Sequence, residues 1–459
     1  VNPTDMTDFD FSTPHKIYFL GIGGIGMSAL ARYLHARGHS VSGYDKTLSP
    51  ITKGLVDTGI AVTNQATDFD ADTYDLLVFT PALNITDPIL KTAQASSTPL
   101  LKRSEVLGIL SKQYKTLAIA GTHGKTTTSA MLAWLMRESG MSSSGLVGGI
   151  LANTGANYLP GGDEWLVVEA DEYDRSFLRL FPQHSAITSL DVDHLDIYGS
   201  ADQMRQTYLE FMHNLHASGT LLMTPKWREY TPELSGRKID TYGVEEGTYT
   251  ARNIRSDGFE SIFDFHAPGV VLENLSLHLP GRHNIENATA AVALSLLAGA
   301  DPKRLPAALA SFAGIHRRFQ RVYEDDKLIV IDDYAHHPTE LKSAIAAAKE
   351  LFPERQLKVI FQPHLYSRTR DFYREFGDVL SAADDVTLIH IYPARELSIP
   401  HVTSDLVYQQ IRHSNKRLIG LEELPATAQS TLTDQPTVML ILGAGDVSTQ
   451  VEPLTKLLT

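Results

Sequence analysis

The stretch TLAIAGTHGKTTTSAMLAWLMRESG, residues 116–140, contains an apolar run, a glycine-rich turn and a helical pattern in direct succession. The end of the turn, residues 124–126, matches the Gly-Lys-[Ser/Thr] of the Walker A sequence, but Ile119 stands in the place of its first glycine. Strand, loop and helix in this order predict an α/β unit with a phosphate-binding turn. Lys125 would reach the terminal phosphates of a nucleotide, and the Thr126 hydroxyl would ligate Mg²⁺.

A second glycine-rich turn lies near the N-terminus, in FLGIGGIGMSAL, residues 19–30. Gly21, Gly23 and Gly26 match the dinucleotide pattern G-x-G-x-x-G, and Asp45 ends the next predicted strand. Glycines before a helix N-terminus favour diphosphate binding over a plain turn. The spacing leaves open whether the diphosphate belongs to a nicotinamide cofactor or to another nucleotide.

Acidic residues follow two predicted strands downstream of the Walker-like loop. WLVVEADEYD places Glu169 at the end of an apolar strand, and SLDVDHLDIY places His194 among Asp191, Asp193 and Asp196. Each cluster alone is typical of a solvated loop. Because the carboxyl ends of parallel strands share one edge of a sheet, both clusters together with the loop predict a metal–phosphate site.

The C-terminal third contains four apolar strand patterns, KLIVIDD, QLKVIFQPH, DVTLIHIYPA and TVMLILGAGD, which are separated by helical segments. They predict another α/β layer. In DDYAHHP, His336 and His337 precede Pro338, a residue suited to the first helical position, so they are either helix-capping residues or ligands. Arg368 to Arg370 form either a solvated basic turn or a clamp for a carboxylate.

Composition restricts the functional classes. The chain has 459 residues, a formal net charge of −14 and no cysteine, which disfavours a nucleic-acid partner and excludes thiolate sites. We find no apolar run long enough to span a bilayer. We therefore expect a cytoplasmic enzyme of several domains, with a polar linker near residues 110–115.

Taken together, the motifs resemble the Mur ligase family over residues 21–446: GTHGKTTT, EADE, DVDHLD, LPGRHNIENATAA, DDYAHHPTE, FQPHLYSRTRDF and LGAGD. The resemblance implies an α/β protein of three domains. These would be a Rossmann-like UDP-substrate domain at residues 1–112, a central P-loop ATPase domain at residues 113–315 and a Rossmann-like α/β amino-acid domain at residues 316–459.

The resemblance also implies a reaction, the ATP-dependent joining of L-alanine to the carboxylate of UDP-N-acetylmuramate through an acyl phosphate. The implied cofactor is Mg²⁺, with Mn²⁺ possible, and the implied partners are these small molecules, without nucleic acid or membrane, for a monomer or a homodimer. Within the family the alternative is a ligase that recycles murein tripeptide. From other classes, an NAD(P)-dependent oxidoreductase and a P-loop ATPase with a peptide or protein partner stay open.

Site residues follow from the resemblance, position by position. The residues implied to bind ATP are Gly121, Thr122, Gly124, Lys125, Thr126, Thr127, His283, Asn287, Arg318 and Asp333. The residues implied to bind the UDP-substrate are Gly21, Ile22, Gly23, Gly24, Ile25, Gly26 and His123. The residues implied to face the amino acid are Tyr334, His336, His364 and Arg368. The implied metal ligands are Thr126, Glu169 and His194, and the implied catalytic residues are Lys125, His194, His336 and Arg368.

Two positions depart from the family pattern, and one of them is Tyr173, which stands where a serine is common. Leu365 stands where an arginine is expected, which leaves Arg368 as the main candidate for holding the alanine carboxylate.

Overall fold

The structure is a computed structural model that describes residues 9–66, 69–84, 86–191, 195–228, 231, 236–394 and 396–458. The chain divides into two compact units. The first unit comprises Val1–Arg255, Ile262–Leu277 and Asn284–Ala313, and the second comprises Ser256–Ser261, His278–His283 and Gly314–Thr459.

The first sheet of the first unit is parallel, with the strand order β3-β2-β1-β4-β5 in the described residues. Its strands are β1 Lys16–Leu20, β2 Ser40–Tyr44, β3 Ala61–Thr63, β4 Leu76–Phe79 and β5 Leu100–Lys102. Its helices are α1 Ile25–Ala36, α2 Pro50–Val56, α3 Pro88–Ala95 and α4 Arg103–Gln113. This doubly wound order confirms the Rossmann-like prediction and places ligand sites beyond the carboxyl ends of β1 and β4.

The predicted linker near residues 110–115 is wrong. Residues 110–113 form the last turn of α4, and β6 begins at Lys115. The polar residues Lys112 and Gln113 are exposed at the end of this helix, whereas Leu107, Leu110 and Ser111 are buried.

The second sheet of the first unit has the order β15-β14-β13-β12-β11-β10-β6-β9-β7-β8 in the described part of the chain. Its strands are β6 Lys115–Ala120, β7 Ser143–Leu146, β8 Tyr158–Leu159, β9 Trp165–Glu169, β10 His184–Ile187, β11 Thr220–Met223, β12 Lys238–Val244, β13 Tyr249–Asp257, β14 Glu260–Ala267 and β15 Val270–Leu277. The helices are α5 Lys125–Glu138, α6 Leu195–Tyr198, α7 Ala201–His213, α8 Pro225–Arg228, α9 Arg282–Leu297 and α10 Leu305–Ala310. Strand β6 pairs in parallel with both β9 and β10, so the Walker-like loop lies between two strand ends.

The sheet of the second unit has the order β16-β17-β21-β18-β19-β20, again among the described residues. The strands are β16 Gln320–Glu324, β17 Leu328–Asp333, β18 Gln356–Phe361, β19 Asp385–Ile389, β20 Lys416–Ile419 and β21 Thr437–Leu442. The helices are α11 Pro338–Leu351, α12 Tyr366–Leu380, α13 Asp405–Gln410, α14 Leu424–Thr431 and α15 Val451–Leu458. Strand β16 is antiparallel to β17, and the other pairs are parallel.

Both faces of this last sheet are covered, as its continuous apolar strands require. Alternate residues of β17 enter different cores: Ile329 and Ile331 pack in one, and Leu328 and Val330 pack in the other. Because successive side chains of a strand point to opposite faces of the sheet, and both faces are covered, consecutive residues of the strand are apolar. The polar residues after β17 and β18 are therefore left at the carboxyl edge of the sheet. Among the described residues, no helix has the length and apolarity needed to cross a membrane.

Replacing Gly145 by alanine is expected to destabilise the first unit. A Cβ atom at this position of β7 would lie 2.5 Å from the Cβ of Ala133 in α5. Overpacking of this kind costs about 1–3 kcal/mol of unfolding free energy. The urea concentration at the unfolding midpoint, followed by circular dichroism, should fall.

The matched control is Gly54→Ala in helix α2. A Cβ atom there meets the guanidinium end of Arg32 at 2.9 Å, which can move, and alanine favours a helix interior by about 0.5–1 kcal/mol over glycine. We expect an unchanged or higher midpoint. An equal loss in both variants would contradict the packing argument.

Candidate active site

The Walker-like loop joins β6 to α5 through two glycines in left-handed conformations. Gly121 has a φ of 129° and Gly124 a φ of 80°, and α5 begins at Lys125. A Cβ atom on Gly121 would lie 2.1 Å from the hydroxyl oxygen of Thr188. Because the end of β10 approaches so closely, this position accepts only glycine.

Residues at the end of β10 hold the loop in place. The Thr122 N–H donates to the Ser189 carbonyl at 3.1 Å, and the His123 N–H donates to the Ser189 hydroxyl at 2.8 Å. The hydroxyls of Thr122 and Ser189 are 2.8 Å apart. The amides at the start of α5 therefore have a fixed orientation, which suits anion binding. Thr127, also predicted to bind ATP, is buried in the first turn of this helix.

Lys125 forms a buried ion pair that the sequence reasoning missed. Its ammonium lies 2.8 Å from each carboxylate oxygen of Glu172 and donates to the Gly121 carbonyl at 2.6 Å. The exposed fraction of the side chain is 13% for Lys125 and 1% for Glu172.

Burial and charge act in opposite directions on this pair. Burial lowers the pKa of Lys125, but the nearby carboxylates of Glu172, Glu169 and Asp171 outweigh it and raise the pKa above its ordinary value. Burial also raises the pKa of Glu172 to about 7, although Lys125 opposes this shift. Lys125 therefore keeps its positive charge, whereas burial disfavours the charged form of Glu172.

Thr126 and Glu169 are brought together as predicted. The Thr126 hydroxyl donates to a Glu169 carboxylate oxygen at 3.1 Å. Hydroxyl and carboxylate oxygens are the donors that Mg²⁺ prefers, so the pair fits a hard divalent cation. Within the described ranges no group of three or more His, Cys, Asp or Glu side chains has metal-binding geometry, and His194, the third predicted ligand, lies outside the described residues.

Helix α9 brings Asn287 against the same loop. A Cβ atom on Gly124 would lie 2.7 Å from the Asn287 amide oxygen, and Asn284 and Asn287 are both buried. His283, the other residue predicted to contact adenine, is exposed in the first turn of α9. The structure thus places Asn287 at the loop by a packing contact that the spacing of the motifs did not specify.

The N-terminal glycine turn follows β1 and leads into α1, which begins at Ile25. Gly21 has a φ of 84°, and the Gly23 N–H donates to an Asp45 carboxylate oxygen at 2.8 Å. Asp45 therefore stabilises the conformation of the turn, a structural role that differs from ribose binding by the acid of nicotinamide enzymes. The predicted UDP-substrate residues Gly21, Ile22, Gly23, Gly24, Ile25 and Gly26 form this one turn.

Two further side chains, Asn157 and Arg103, lie against the N-terminal glycine turn. Asn157, which is 1% exposed, donates to the Ile25 carbonyl at 2.6 Å. A Cβ atom on Gly26 would lie 2.8 Å from the Arg103 guanidinium, which also donates to Asp171 at 3.4 Å. Arg103 and Asp171 line a small cleft with Glu169. The sequence feature that could have indicated this contact is the basic residue Arg103 at the start of α4.

In the second unit, Asp333 is held by the backbone at the end of β17. Its two carboxylate oxygens accept the N–H groups of Phe319 and Ala335, both at 2.7 Å. Burial raises the pKa of Asp333 to about 6, and Arg318 opposes the shift. The Arg318 guanidinium carbon lies 5.4 Å from the centroid of the Tyr334 ring. Arg318, Asp333 and Tyr334 therefore lie together, as the predicted ligand set requires.

The two adjacent histidines have different roles in the structure. His337 is the N-cap of α11, and its Nδ1 accepts the Thr339 N–H at 3.3 Å. The Nδ1 atom of His336 lies 3.0 Å from the Tyr334 carbonyl. The helix-capping interpretation therefore holds for His337, whereas His336 lies with the other predicted ligands.

The predicted amino-acid residues form one cluster at the carboxyl ends of β17 and β18. The His336 ring centroid is 5.4 Å from that of Tyr334 and 5.9 Å from that of His364. Arg368, in the first turn of α12, has a guanidinium nitrogen 3.5 Å from His364 Nδ1 and is 6% exposed. The structure thus supports the grouping of these four residues.

Tyr392 is an aromatic neighbour of this cluster that the sequence reasoning missed. Its ring stacks on His364 with centroids 5.7 Å apart, and its carbonyl accepts the Leu365 N–H at 3.0 Å. Leu365 has a φ of 73°, a strained value for a residue with a side chain, and is 7% exposed. Leu365 therefore brings no charge to this cluster, whereas Arg368 lies beside His364 and Arg318 lies beside Tyr334.

Comparison with known proteins extends these observations to the whole chain. Residues 16–115 match the model described as Mur ligase family, catalytic domain, and residues 119–295 match the Mur ligase middle domain. Residues 317–445 match the Mur ligase, glutamate ligase domain.

Named relatives are similar over nearly the full length. The UDP-N-acetylmuramate–L-alanine ligase of Porphyromonas gingivalis is 42% identical over 96% of this chain and 99% of its own, and that of Phocaeicola vulgatus is 40% identical over 98% and 99%. The crystal structure of the UDP-N-acetylmuramate-alanine ligase from Thermotoga maritima has a TM-score of 0.81 and 30% identity, over 96% of this chain and 98% of its own. The chain therefore belongs to the Mur ligase family.

Proposed function

We propose that this chain is an ATP-dependent ligase that joins L-alanine to the carboxylate of UDP-N-acetylmuramate, in the synthesis of peptidoglycan precursors. The observation that carries the proposal is the Walker-like loop, in which Lys125, the start of α5 and the Thr126–Glu169 pair converge at one sheet edge. Relatives that bear this activity in their names match 96–98% of the chain.

The reaction needs ATP because a carboxylate is a poor electrophile. Transfer of the terminal phosphate to the muramyl carboxylate gives an acyl phosphate and ADP. The alanine amine then attacks the acyl carbon, and inorganic phosphate leaves from the tetrahedral intermediate. Positioning and charge neutralisation dominate such phosphoryl transfer, so Lys125 and the amides of α5 are assigned to the ATP phosphates.

Thr126, Glu169 and His194 are assigned to Mg²⁺, or Mn²⁺, because the first two already present paired hard oxygens. The ion would neutralise phosphate charge when bound. Gly121, Thr122, Gly124 and Thr127 line the phosphate loop, and His283, Asn287, Arg318 and Asp333 are assigned to the rest of ATP. The N-terminal glycine turn and His123 are assigned to the UDP-substrate.

The amino acid is assigned to the cluster of the second unit. Arg368 would bind the alanine carboxylate, since a guanidinium can bind both carboxylate oxygens. Nδ1 of His336 lies beside two acceptors, the Tyr334 carbonyl at 3.0 Å and a Glu340 carboxylate oxygen at 3.3 Å, so a neutral His336 would hold its proton there and leave Nε2 with the lone pair. His336 Nε2 would take the proton from the alanine amine.

The second candidate is the tripeptide-recycling reaction of the same family. A murein peptide ligase from Psychrobacter arcticus shares the fold, with a TM-score of 0.71 and 20% identity. The oxidoreductase interpretation is contradicted by the Mur ligase models that match residues 16–115, 119–295 and 317–445. The three domain boundaries, a cytoplasmic location and a monomeric or homodimeric state stay predictions.

The amino donor distinguishes the two ligase reactions. Phosphate release should be measured with ATP, Mg²⁺ and UDP-N-acetylmuramate, with L-alanine, glycine, L-serine or the murein tripeptide as the donor. We expect the highest kcat/KM with L-alanine and none without a donor. Turnover with the tripeptide alone would favour recycling, and hydrolysis of equal rate without any donor would indicate an ATPase.

Lys125→Ala should abolish most activity because the phosphates lose their buried cation. Removal of one such transition-state donor lowers kcat by about 10²–10³-fold. The matched control is Lys115→Ala at the start of the same strand, where the lysine is 55% exposed and pairs with Glu164. Circular dichroism should show both variants folded, and near wild-type turnover of Lys125→Ala would remove the loop from the mechanism.

Arg368→Lys should weaken alanine binding specifically. Lysine keeps the charge but loses the two-pronged contact, so we expect the KM for L-alanine to rise about tenfold while the KM for ATP stays unchanged. Arg370→Lys is the control in the same helix, because Arg370 is 54% exposed and pairs with Asp371. Equal changes in both Michaelis constants would contradict the assignment.

A further inference from the structure

Glu172 forms an ion pair with Lys125, the residue that the proposed function assigns to the ATP phosphates. Both of its carboxylate oxygens lie 2.8 Å from Lys125 Nζ, and its side chain is 1% exposed. A buried lysine needs a counterion, because an unpaired charge is costly inside a protein. In the structure Glu172 supplies that counterion, with the Gly121 carbonyl as the second acceptor.

The backbone around Glu172 is anchored independently of the Walker-like loop. The Glu172 carbonyl accepts the Tyr198 hydroxyl at 2.5 Å and the Arg175 N–H at 3.0 Å. An Asp171 carboxylate oxygen accepts the Tyr173 N–H at 3.1 Å, so that a side-chain turn spans Glu172. These hydrogen bonds hold the main chain at Glu172 through groups that do not belong to the Walker-like loop.

Glu172 is also separate from the predicted metal ligands. Glu169 pairs with the Thr126 hydroxyl, whereas Glu172 pairs with Lys125. The two carboxylates therefore have different partners, although only two residues lie between them in the sequence. Glu169 presents oxygens suited to a metal cation. Glu172 neutralises the ammonium of Lys125, the residue assigned to the ATP phosphates.

We propose that Glu172 is a resident counterion of Lys125 with which the phosphates of ATP compete. It holds the lysine charged and oriented on the Gly121 carbonyl before the nucleotide arrives, and it opposes the incoming phosphates by like-charge repulsion. Glu172 is thus a positioning residue that stabilises the empty loop at the expense of nucleotide affinity. This inference rests on the proposed role of Lys125 in binding ATP.

Glu172→Gln should lower the stability of the nucleotide-free protein and raise its affinity for ADP. Without nucleotide, the melting temperature should fall by a few degrees, because Lys125 loses the charge of its partner. The dissociation constant of ADP, measured by calorimetry without divalent cations, should fall about tenfold because repulsion of the phosphates is removed. A purely structural glutamate would give a lower melting temperature together with weaker ADP binding, and that result would overturn the proposal.

Further variants keep the test decisive. Glu172→Asp keeps the charge but withdraws it by one methylene, so both effects should be smaller with the same signs; it replaces Glu172→Gln if that variant fails to fold. In a Lys125→Ala background, Glu172→Gln should raise the melting temperature, because it removes a buried charge whose lysine counterion is gone. Glu164→Gln is the control, since Glu164 is 51% exposed and pairs with Lys115; it should leave ADP affinity unchanged.

The proposal and the proposed function fail in different ways. If wild-type protein binds no ADP with or without Mg²⁺, the nucleotide role of the loop is wrong. If the wild type binds ADP and Glu172→Gln binds it equally or more weakly, only the competing-counterion role is wrong.

Discussion

The close approach of Gly121 to the end of β10 is the constraint on which the candidate active site depends. The 2.1 Å separation between an added Cβ atom and the Thr188 hydroxyl leaves no space for a side chain. The loop is then fixed by hydrogen bonds from Thr122 and His123 to Ser189. As a result the start of α5, and with it Lys125, points to the sheet edge where Glu169 also ends its strand.

The same arrangement recurs in the second unit with different chemistry. Parallel strands, covered on both faces, leave polar side chains at their carboxyl ends. After β6 and β9 these are a lysine and acids, which suit phosphates and a cation. After β17 and β18 they are Tyr334, His336, His364 and Arg368, which suit an amino acid. The carboxyl edges of the two sheets thus carry polar side chains of different chemistry.

The sequence predicted correctly those features that depend on residues close together along the chain. The Walker-like loop, the glycine turn and the strand patterns were predicted because each is a local sequence of torsions and polarity. The prediction of family was confirmed for the same reason, since several short motifs stood in order. It was wrong for the linker near residues 110–115, where exposed polar side chains of α4 resemble a loop in composition.

Contacts distant in sequence could not be predicted from local patterns. The two adjacent histidines are indistinguishable in DDYAHHP, yet His337 caps α11 and His336 lies against Tyr334. Likewise EADE contains two glutamates, and only packing shows that Glu172 faces Lys125. By itself the sequence determined which segments form glycine-rich turns before helices and which strands end in polar residues. Tertiary structure decided which side chains meet, because burial and pairing depend on strand order and loop direction across the whole unit.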